Sequence, residues 1–215
     1  MRLATVAGAP GSGKTSLIIH ALRRVRSRGF AAGIFKIDVC PSPDEVRYRA
    51  AGFAAVTRPT GDVCPDHAAM VSLSDALVWA RRERLDLLVF ETAGLCHRCS
   101  PFLTRVLAVG VVSGLGNLGT PCAMRPLLEG ADIIALARAE LLSHAEREVF
   151  IDRLRALNPR AHVLHVNGLT GEGVAPVSGA LLSSGGVDLL DTESLRAPLP
   201  AAYCHFCQGE GSGHE

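Results

Sequence analysis

A glycine-rich octapeptide near the start of the chain, residues 8–15, limits the possible folds more than any other segment. It reads Gly-Ala-Pro-Gly-Ser-Gly-Lys-Thr and fits the pattern G-x-x-x-x-G-K-[ST] of a phosphate-binding P-loop. A short apolar run, Leu3 to Ala7, precedes it, and a helical pattern follows from Ser16 to Arg26. A strand, a tight glycine loop and a helix in this order predict a P-loop in an α/β sheet.

The residues of this loop indicate how the phosphates of a nucleotide would be held. Glycines let the backbone pass close to phosphate oxygens, and the amides at the start of the helix point at the anion. Lys14 supplies a point charge for the β- and γ-phosphates, and Thr15 offers a hydroxyl to Mg²⁺. We therefore expect the nucleotide to be bound by Gly8, Gly11, Ser12, Gly13, Lys14, Thr15 and Ser16.

Length and composition favour one α/β domain with a large core, since 48% of the 215 residues are hydrophobic and 20% are charged. The formal net charge is +1 and there is no basic stripe, so no nucleic-acid partner is expected. We find neither a stretch long enough to span a membrane nor a signal peptide, and expect a cytoplasmic location without a membrane partner. Seven cysteines in a reducing compartment then indicate metal or redox chemistry rather than disulfides.

Short apolar runs alternate with helical patterns, which predicts an α/β P-loop NTPase fold, a three-layer, doubly wound and mostly parallel sheet. The predicted strands are Leu3–Ala7, Ala31–Ile37, Ala54–Thr57, Leu85–Phe90, Val106–Val112, Ala131–Ala137 and Ala161–Val166. The predicted helices are Thr15–Arg28, Pro43–Gly52, Ala68–Arg84, Ser143–Leu157 and Gly173–Leu182. Residues 1–183 are predicted to form the nucleotide-binding domain, and residues 184–215 a loosely ordered tail with a C-x-x-C pair.

Three acidic residues fall at or just beyond the carboxyl ends of predicted strands, where ligands bind in open α/β sheets. They are Asp38, Asp44 and Glu91. Mg²⁺ prefers hard oxygen ligands and keeps several waters, so Thr15 with Asp38 or Glu91 would hold it. Lys14 would neutralise charge on the γ-phosphate while one of the three acids orients the attacking water. The alternative is that the acids only mark where strands reach solvent, and it is strongest for Asp44.

Four segments together resemble the SIMIBI-class nickel GTPases that mature hydrogenase and urease, the HypB/UreG family. They are the P-loop, the acidic stretch 38–52, residues 60–68 with the sequence T-G-D-V-C-P-D-H-A, and residues 91–94 with the sequence E-T-A-G. The resemblance spans most of residues 1–183. It implies a Mg²⁺-dependent GTPase, a nucleotide-dependent homodimer, and Ni²⁺ or Zn²⁺ bound between the subunits for a metalloenzyme or metallochaperone client.

The segments expected to contact the base depart from this family. Residues 137–140 read A-R-A-E where the family has Asn-Lys-x-Asp. Glu140 would accept the guanine N1 and N2 protons, and Arg138 would stack its planar guanidinium on the base. Asn167 begins a segment that resembles the family's loop closing over the base. The missing asparagine and the longer acid leave both GTP and ATP open as the nucleotide.

Cysteine and histidine pairs provide candidate ligands for a soft transition metal. The pairs are Cys64 with His67, Cys96 with Cys99, and Cys204 with Cys207. The resemblance implies that the first two pairs bind Ni²⁺ or Zn²⁺, although His67 lies one or two residues later than the family's histidine. The third pair fits either this site or a separate zinc knuckle. Small buried thiols are the alternative for all three pairs.

We therefore expect a nucleotide hydrolase that couples GTP or ATP turnover to delivery of a transition metal, with nickel as the first candidate. Two alternatives stay open. A small-molecule P-loop kinase would need arginines on a mobile lid, whereas Arg147, Arg153 and Arg155 fall in a predicted helix. A non-enzymatic, nucleotide-gated carrier of zinc or an iron–sulfur cluster would join C-x-x-C pairs from two subunits.

Overall fold

Seven strands form the centre of the protein in this computed structural model, which describes residues 1–39, 42–61, 63–93, 100–186 and 195–196 and the backbone at 203–204 and 209–210. The strands are β1 (Arg2–Ala7), β2 (Ala32–Asp38), β3 (Ala54–Pro59), β4 (Leu87–Thr92), β5 (Leu107–Ser113), β6 (Ile133–Ala137) and β7 (His162–Val166). They lie in the order β3-β2-β4-β1-β5-β6-β7, and every neighbouring pair is parallel. The predicted α/β fold is confirmed, with a fully parallel seven-stranded sheet.

Eight α-helices belong to the described residues. They are α1 (Lys14–Arg26), α2 (Asp44–Ala50), α3 (Pro65–Val71), α4 (Leu73–Arg82), α5 (Thr120–Ala123), α6 (Arg125–Glu129), α7 (His144–Leu157) and α8 (Ala175–Ser183). Buried residues of α1, α2 and α8 pack on one face of the sheet. The other face is covered by α3 and α4 on one half and by α6 and α7 on the other. Within the described part of the chain, no helix combines the length and apolarity needed to cross a bilayer.

The long helix predicted over Ala68–Arg84 is wrong, because two helices occupy this region. Cys64 caps α3 with its sulfur, which accepts the backbone amide of His67, and Pro65 takes the first helical position. The backbone of Ser72, at φ −91° and ψ −2°, departs from ideal helical angles and separates the two helices. Both short helices still bury one apolar face, which is why their combined spacing resembles that of one long helix.

The segment between β5 and β6 contains α5 and α6, which the sequence pattern did not predict. These helices have only four and five residues, and each has a proline in its first turn. Helices of about one turn are too short to show a 3.6-residue period. By contrast, the predicted cap of α7 is confirmed, since Ser143 and Glu146 form a reciprocal capping box.

Arg196 ties a C-terminal segment to the amino-terminal edge of the sheet. Its backbone amide donates to the carbonyl of Phe102 over 2.8 Å. Its guanidinium donates to both carboxylate oxygens of Asp132, each at 2.7 Å. The same group also donates to the carbonyls of Leu103, Gly130 and Val106. Five acceptors on two chain segments, 103–106 and 130–132, therefore converge on one side chain.

Candidate nucleotide-binding site

The P-loop joins the central strand β1 to α1. Some of its positions require glycine because of their backbone angles, and another requires it because a side chain would clash. Gly11 and Gly13 have φ angles of 71° and 104°, in the left-handed region that favours glycine. Gly8 leaves no room for a side chain, since a Cβ there would lie 2.3 Å from the carbonyl oxygen of Val111. The conformation of the loop therefore depends on glycine at each of these three positions.

Lys14 lies across the loop rather than extending into solvent. Its Nζ donates to the carbonyl oxygens of Gly8 at 2.7 Å and Ala9 at 3.1 Å. Burial lowers the pKa of Lys14, and the negative charge of Glu91 offsets only part of that effect. The amine forms one wall of a cleft of about 400 Å³ that Gly13, Thr15, Ser16 and other P-loop residues also line.

The predicted acids Asp38, Asp44 and Glu91 lie together beside the P-loop, and a lysine that the sequence reading missed lies among them. Lys36 Nζ is 2.7 Å from a carboxylate oxygen of Asp38 and 3.9 Å from one of Glu91, and it forms a short ion pair with Asp44. Lys36 pairs with Glu91 in the parallel register of β2 and β4, so both project from one face of the sheet. Asp38 projects from the same face two residues later.

The surroundings of the three carboxyl groups shift their pKa values in different directions. Burial alone would raise the pKa values of Asp38 and Asp44, but the hydrogen bonds and charge of Lys36, together with hydrogen bonds and charges from other neighbours, outweigh it and lower both. Burial raises the pKa of Glu91, although Lys36 and Lys14 act in the opposite direction. Burial would also lower the pKa of Lys36, but the carboxylates around it raise it, so this amine stays cationic.

Tyr48 of α2 holds Glu91 in position with a hydrogen bond. Its hydroxyl donates to Glu91 Oε2 over 2.7 Å, and both residues are fully buried. Burial and the neighbouring Glu91 carboxylate hold the pKa of Tyr48 well above its ordinary value, so it remains a donor. The second oxygen, Glu91 Oε1, has no hydrogen-bond partner among the described residues.

The donor set fits Mg²⁺, because hard oxygen atoms surround the lysine end of the P-loop. The Thr15 hydroxyl interacts with the Asp44 carboxylate and contributes to its lowered pKa. The unpartnered Glu91 Oε1 and the Asp38 carboxylate supply further oxygens. Among the described residues no three His, Cys, Asp or Glu side chains converge on one metal position. A nucleotide-bound Mg²⁺ does not need such a set, since waters and phosphates fill most of its coordination sphere.

Of the residues predicted to contact the base, Arg138 lines the same cleft. Arg138, with a left-handed φ of 58°, donates to the carbonyl of Gly11 at 2.6 Å and to Ser113 Oγ at 3.0 Å. Its guanidinium therefore lies on the P-loop. Glu140 is exposed in a 3₁₀ turn, Ala139–Leu141.

Asn167 organises the loop that was predicted to close over the base. Its side-chain oxygen accepts the amides of Leu169 and Thr170 at 2.9 and 3.2 Å. This loop packs on α1, because a Cβ added to Gly168 would lie 3.1 Å from Ser16 Cβ. The Ser16 hydroxyl also accepts from Arg47 of α2 at 3.3 Å, so the loop, α1 and α2 meet at the rim of the cleft.

Of the predicted transition-metal pair, Cys64 caps α3 and His67 lies within it, and two hydrogen bonds connect this helix and the segment before it to β2 and β4. The amide of Thr60 donates to the carbonyl of Asp38 over 3.0 Å. On the other side, Thr92 Oγ1 donates to Asp66 of α3 over 3.5 Å. His67 is 9% exposed, and the Cys64 sulfur caps the helix. Cys96, Cys99 and Cys207 lie outside the described residues, as does the side chain of Cys204.

Lys36 and Tyr48 are the site residues that sequence reasoning missed, and for Lys36 a signal existed. The chain has 22 basic residues besides histidine, of which only Lys14 and Lys36 are lysines. Both lie in the candidate site with less than a tenth of their surface exposed. A count of lysines against arginines would have singled out Lys36. Tyr48 gave no comparable signal, because a tyrosine in an amphipathic helix is ordinarily a core residue.

A parallel α/β sheet with a P-loop after its central strand, and acids at the carboxyl ends of neighbouring strands, defines a P-loop NTPase. The sequence description of the CobW/HypB/UreG nucleotide-binding domain matches residues 2–165, and the chain belongs to this family of P-loop GTPases. The family suggested by the four sequence segments is thus confirmed.

Two relatives illustrate the range of similarity. The chain is 38% identical over 210 residues to the uncharacterized protein MJ0120 of Methanocaldococcus jannaschii, which covers 98% of this chain and 90% of that protein. It is 30% identical over 168 residues to the hydrogenase maturation factor HypB of Rhizobium leguminosarum bv. viciae. That match covers 77% of this chain and 55% of that protein, so the chain spans about half the length of this relative.

Two crystal structures share the fold. HypB from Archaeoglobus fulgidus aligns with a TM-score of 0.66 and 23% identity, covering 85% of this chain and 89% of that one. HypB from Helicobacter pylori, solved in complex with nickel, aligns with a TM-score of 0.66 and 15% identity, covering 88% of this chain and 92% of that one. At these identities the likeness establishes the fold.

Proposed function

We propose that this protein hydrolyses GTP or ATP and couples turnover to delivery of a transition metal, with nickel as the first candidate. The recipient would be a metalloenzyme or a metallochaperone, and the working form would be a nucleotide-dependent homodimer in the cytoplasm. Membership of a nucleotide-binding family supports the first half of this proposal. The second half is supported by a relative named as a hydrogenase maturation factor and by a similar fold solved with nickel.

The observation that carries the proposal is a pair of hydrogen bonds that join β2 and β4, the strands bearing Asp38 and Glu91, to α3 and to the segment that precedes it. Asp38 is bonded through its carbonyl to Thr60, and Thr92, next to Glu91, is bonded to Asp66. Cys64 and His67 flank Asp66 on α3. A shift of the acids on nucleotide binding would therefore move the two candidate metal ligands. Such coupling is reciprocal, so metal would change nucleotide affinity by the same factor.

Several residues of the cleft have a role in the proposed hydrolysis. Mg²⁺ neutralises charge on the phosphates when it is bound, and Thr15 and Asp38 would hold it, with Glu91 beneath them. The backbone of the P-loop orients the phosphates, and Lys14 leaves its carbonyl partners to contact the γ-phosphate. Asp44 lines the cleft and is ionised, so it would orient the attacking water. Arg138, Glu140 and Asn167 would contact the base.

Metal binding measured in three nucleotide states tests this function. Ni²⁺ affinity of the purified full chain would be determined by isothermal titration calorimetry without nucleotide, with GTP and Mg²⁺, and with ATP and Mg²⁺. We expect affinity to change by about 5- to 100-fold with the correct nucleotide, and the Cys64→Ala variant to lose that change. Equal Ni²⁺ affinity in all three states would refute the coupling.

Two further variants serve as controls for that experiment. Cys122 is an exposed cysteine of α5 on a different part of the surface, so Cys122→Ala should keep the response of the unmodified protein. Lys14→Ala should bind nucleotide weakly and lose hydrolysis, because the P-loop lysine compensates phosphate charge. A Lys14→Ala protein that hydrolyses GTP and ATP at the normal rate would contradict the P-loop assignment.

A further inference from the structure

Lys36 has no role in the function proposed above, yet the chain places one of its two lysines there. All other basic side chains apart from histidine are arginines. An arginine carries a planar fork of donors, whereas the lysine ammonium is a compact point charge that donates to oxygen atoms in several directions. The use of lysine at this one additional position indicates that the site needs a small cation.

The surroundings of the Lys36 ammonium are those of a bound cation. Asp38 lies 2.7 Å away, Ser42 Oγ 3.2 Å and Glu91 Oε1 3.9 Å, and Asp44 forms a closer ion pair. Three of these four groups are carboxylates. The Lys36 side chain itself is only 7% exposed, so solvent contributes little to its charge balance.

Two of these groups, Asp38 and Glu91, are also the protein's candidates for holding Mg²⁺ beside the nucleotide. A positive charge a few ångströms from the cation position repels a divalent ion strongly in a buried site. The phosphates of a nucleotide bring enough negative charge to outweigh that repulsion. The order of binding should therefore depend on Lys36.

We propose that Lys36 is the resident cation of the acidic cluster, and that it excludes Mg²⁺ from the protein until a nucleotide brings the metal in with its phosphates. The inference rests on the proposed nucleotide site and deepens it by setting the order in which nucleotide and metal bind. Without Lys36, the acidic cluster beside Thr15 would lose its nearest ammonium, and a divalent ion with waters in most of its coordination sphere would balance the charge.

Mn²⁺ binding to the nucleotide-free full chain tests this proposal, with electron paramagnetic resonance counting the bound ion. The unmodified protein should bind Mn²⁺ at this site weakly, and Lys36→Met should bind one Mn²⁺ about a hundredfold more tightly or better. Adding Asp38→Asn to that variant should remove most of the gain. Equal affinity for Mn²⁺ in the unmodified protein and in Lys36→Met, whether tight or absent in both, overturns the proposal.

A second measurement covers the case in which Lys36→Met does not fold. Because the chain has two lysines, selective ¹⁵N labelling of lysine gives two side-chain signals, and a Lys36→Arg variant assigns them. Addition of Mg²⁺ without nucleotide should leave the Lys36 signal in place, whereas a saturable shift of that signal would show that Mg²⁺ enters unaided and overturn the proposal. Both tests omit nucleotide and nickel, so a failure of nickel coupling leaves their outcome unaffected.

Discussion

At the scale of single residues, the site places carboxyl groups whose pKa values are shifted in opposite directions around one ammonium, that of Lys36. Asp38 and Asp44 give up their protons more easily than ordinary aspartates, while the buried Glu91 holds its proton more strongly. Lys36 contacts all three groups. The two aspartates and the lysine are therefore charged at neutral pH, while burial opposes the ionisation of Glu91.

The pH dependence of stability should report these pairs. A carboxyl whose pKa is lowered in the folded state stabilises the protein fully above its ordinary pKa of 3.8 and loses this contribution as pH falls through the folded value. We expect the free energy of unfolding to decrease between about pH 5 and about pH 2, and to decrease less steeply in Asp44→Asn. Urea unfolding at a series of pH values measures this, and equal slopes for both proteins would contradict it.

The ionisation of Glu91 affects stability in the opposite direction, and the experiment has to distinguish its contribution from that of Asp44. Its pKa is raised above 4.5, so its ionised form costs stability at neutral pH and the cost disappears as it gains a proton. The comparison of Asp44→Asn with the unmodified protein leaves Glu91 in place in both. The difference between their two slopes therefore measures Asp44 and the ion pair that it forms with Lys36.

At this scale the sequence identified side chains by motif and failed where no motif applied. Lys14, Thr15 and the three acids could be placed because a P-loop and strand ends have known positions in α/β sheets. Lys36 could not be placed in this way, since it lies within a strand whose pattern is otherwise that of the core. Its role follows from the register of β2 against β4, which depends on tertiary structure.

At the scale of elements, the loop between β7 and α8 depends on a glycine with a severe steric restriction. Gly173 has a φ of 77°, and a Cβ at this position would lie 1.8 Å from the carbonyl oxygen of His165. The loop cannot move away from β7 without disturbing Asn167, whose side chain holds the turn. Gly173 is therefore a structural requirement of the loop expected to close over the base.

Alanine substitutions at Gly173 and at Gly179 should change the stability of the protein in opposite directions. Gly173→Ala should destabilise the protein by more than about 1 kcal/mol and weaken nucleotide binding, because the loop must shift. At Gly179, within α8, an added Cβ would meet no neighbouring atom within 4 Å, so Gly179→Ala should stabilise by about 0.5–1 kcal/mol. Thermal unfolding and nucleotide titration of both variants measure this, and a Gly173→Ala protein as stable as Gly179→Ala would contradict it.

The predicted elements were most accurate where a strand is buried on both faces. All seven predicted strands occur, and their ends differ from the prediction by at most two residues. Continuous apolar runs between turns identify such strands without knowledge of their neighbours. The break at Ser72 was missed because it alters the backbone angles of one residue and keeps nearly the same apolar spacing.

At the scale of the whole molecule, Arg196 joins segments that are distant in sequence. It lies 93 residues from Leu103 and 64 from Asp132 along the chain, and it bonds to both. Its side chain is 22% exposed, so its bonds are partly protected from solvent. The division of the chain at residue 184 remains a prediction, and this side chain provides a way to examine it.

Removing Arg196 should measure how strongly the C-terminal segment contributes to stability. Arg196→Ala leaves several carbonyls and a carboxylate without their donor, and we expect a loss of about 2–3 kcal/mol. Arg125→Ala is the matched control, because that arginine forms an exposed pair with Glu129 within one helix and should contribute below about 0.5 kcal/mol. Chemical denaturation compares them, and equal losses would show that the C-terminal segment adds no stability.

The two buried lysines also determine how the surface of this protein reacts. Amine-directed reagents such as N-hydroxysuccinimide esters attack deprotonated, accessible amines, and no lysine of this chain meets that condition in the folded state. Guanidinium groups supply the surface cations and do not acylate under these conditions. Acylation beyond the N-terminal amine would therefore report molecules whose nucleotide cleft has opened, which makes mass spectrometry a direct count of the intact site.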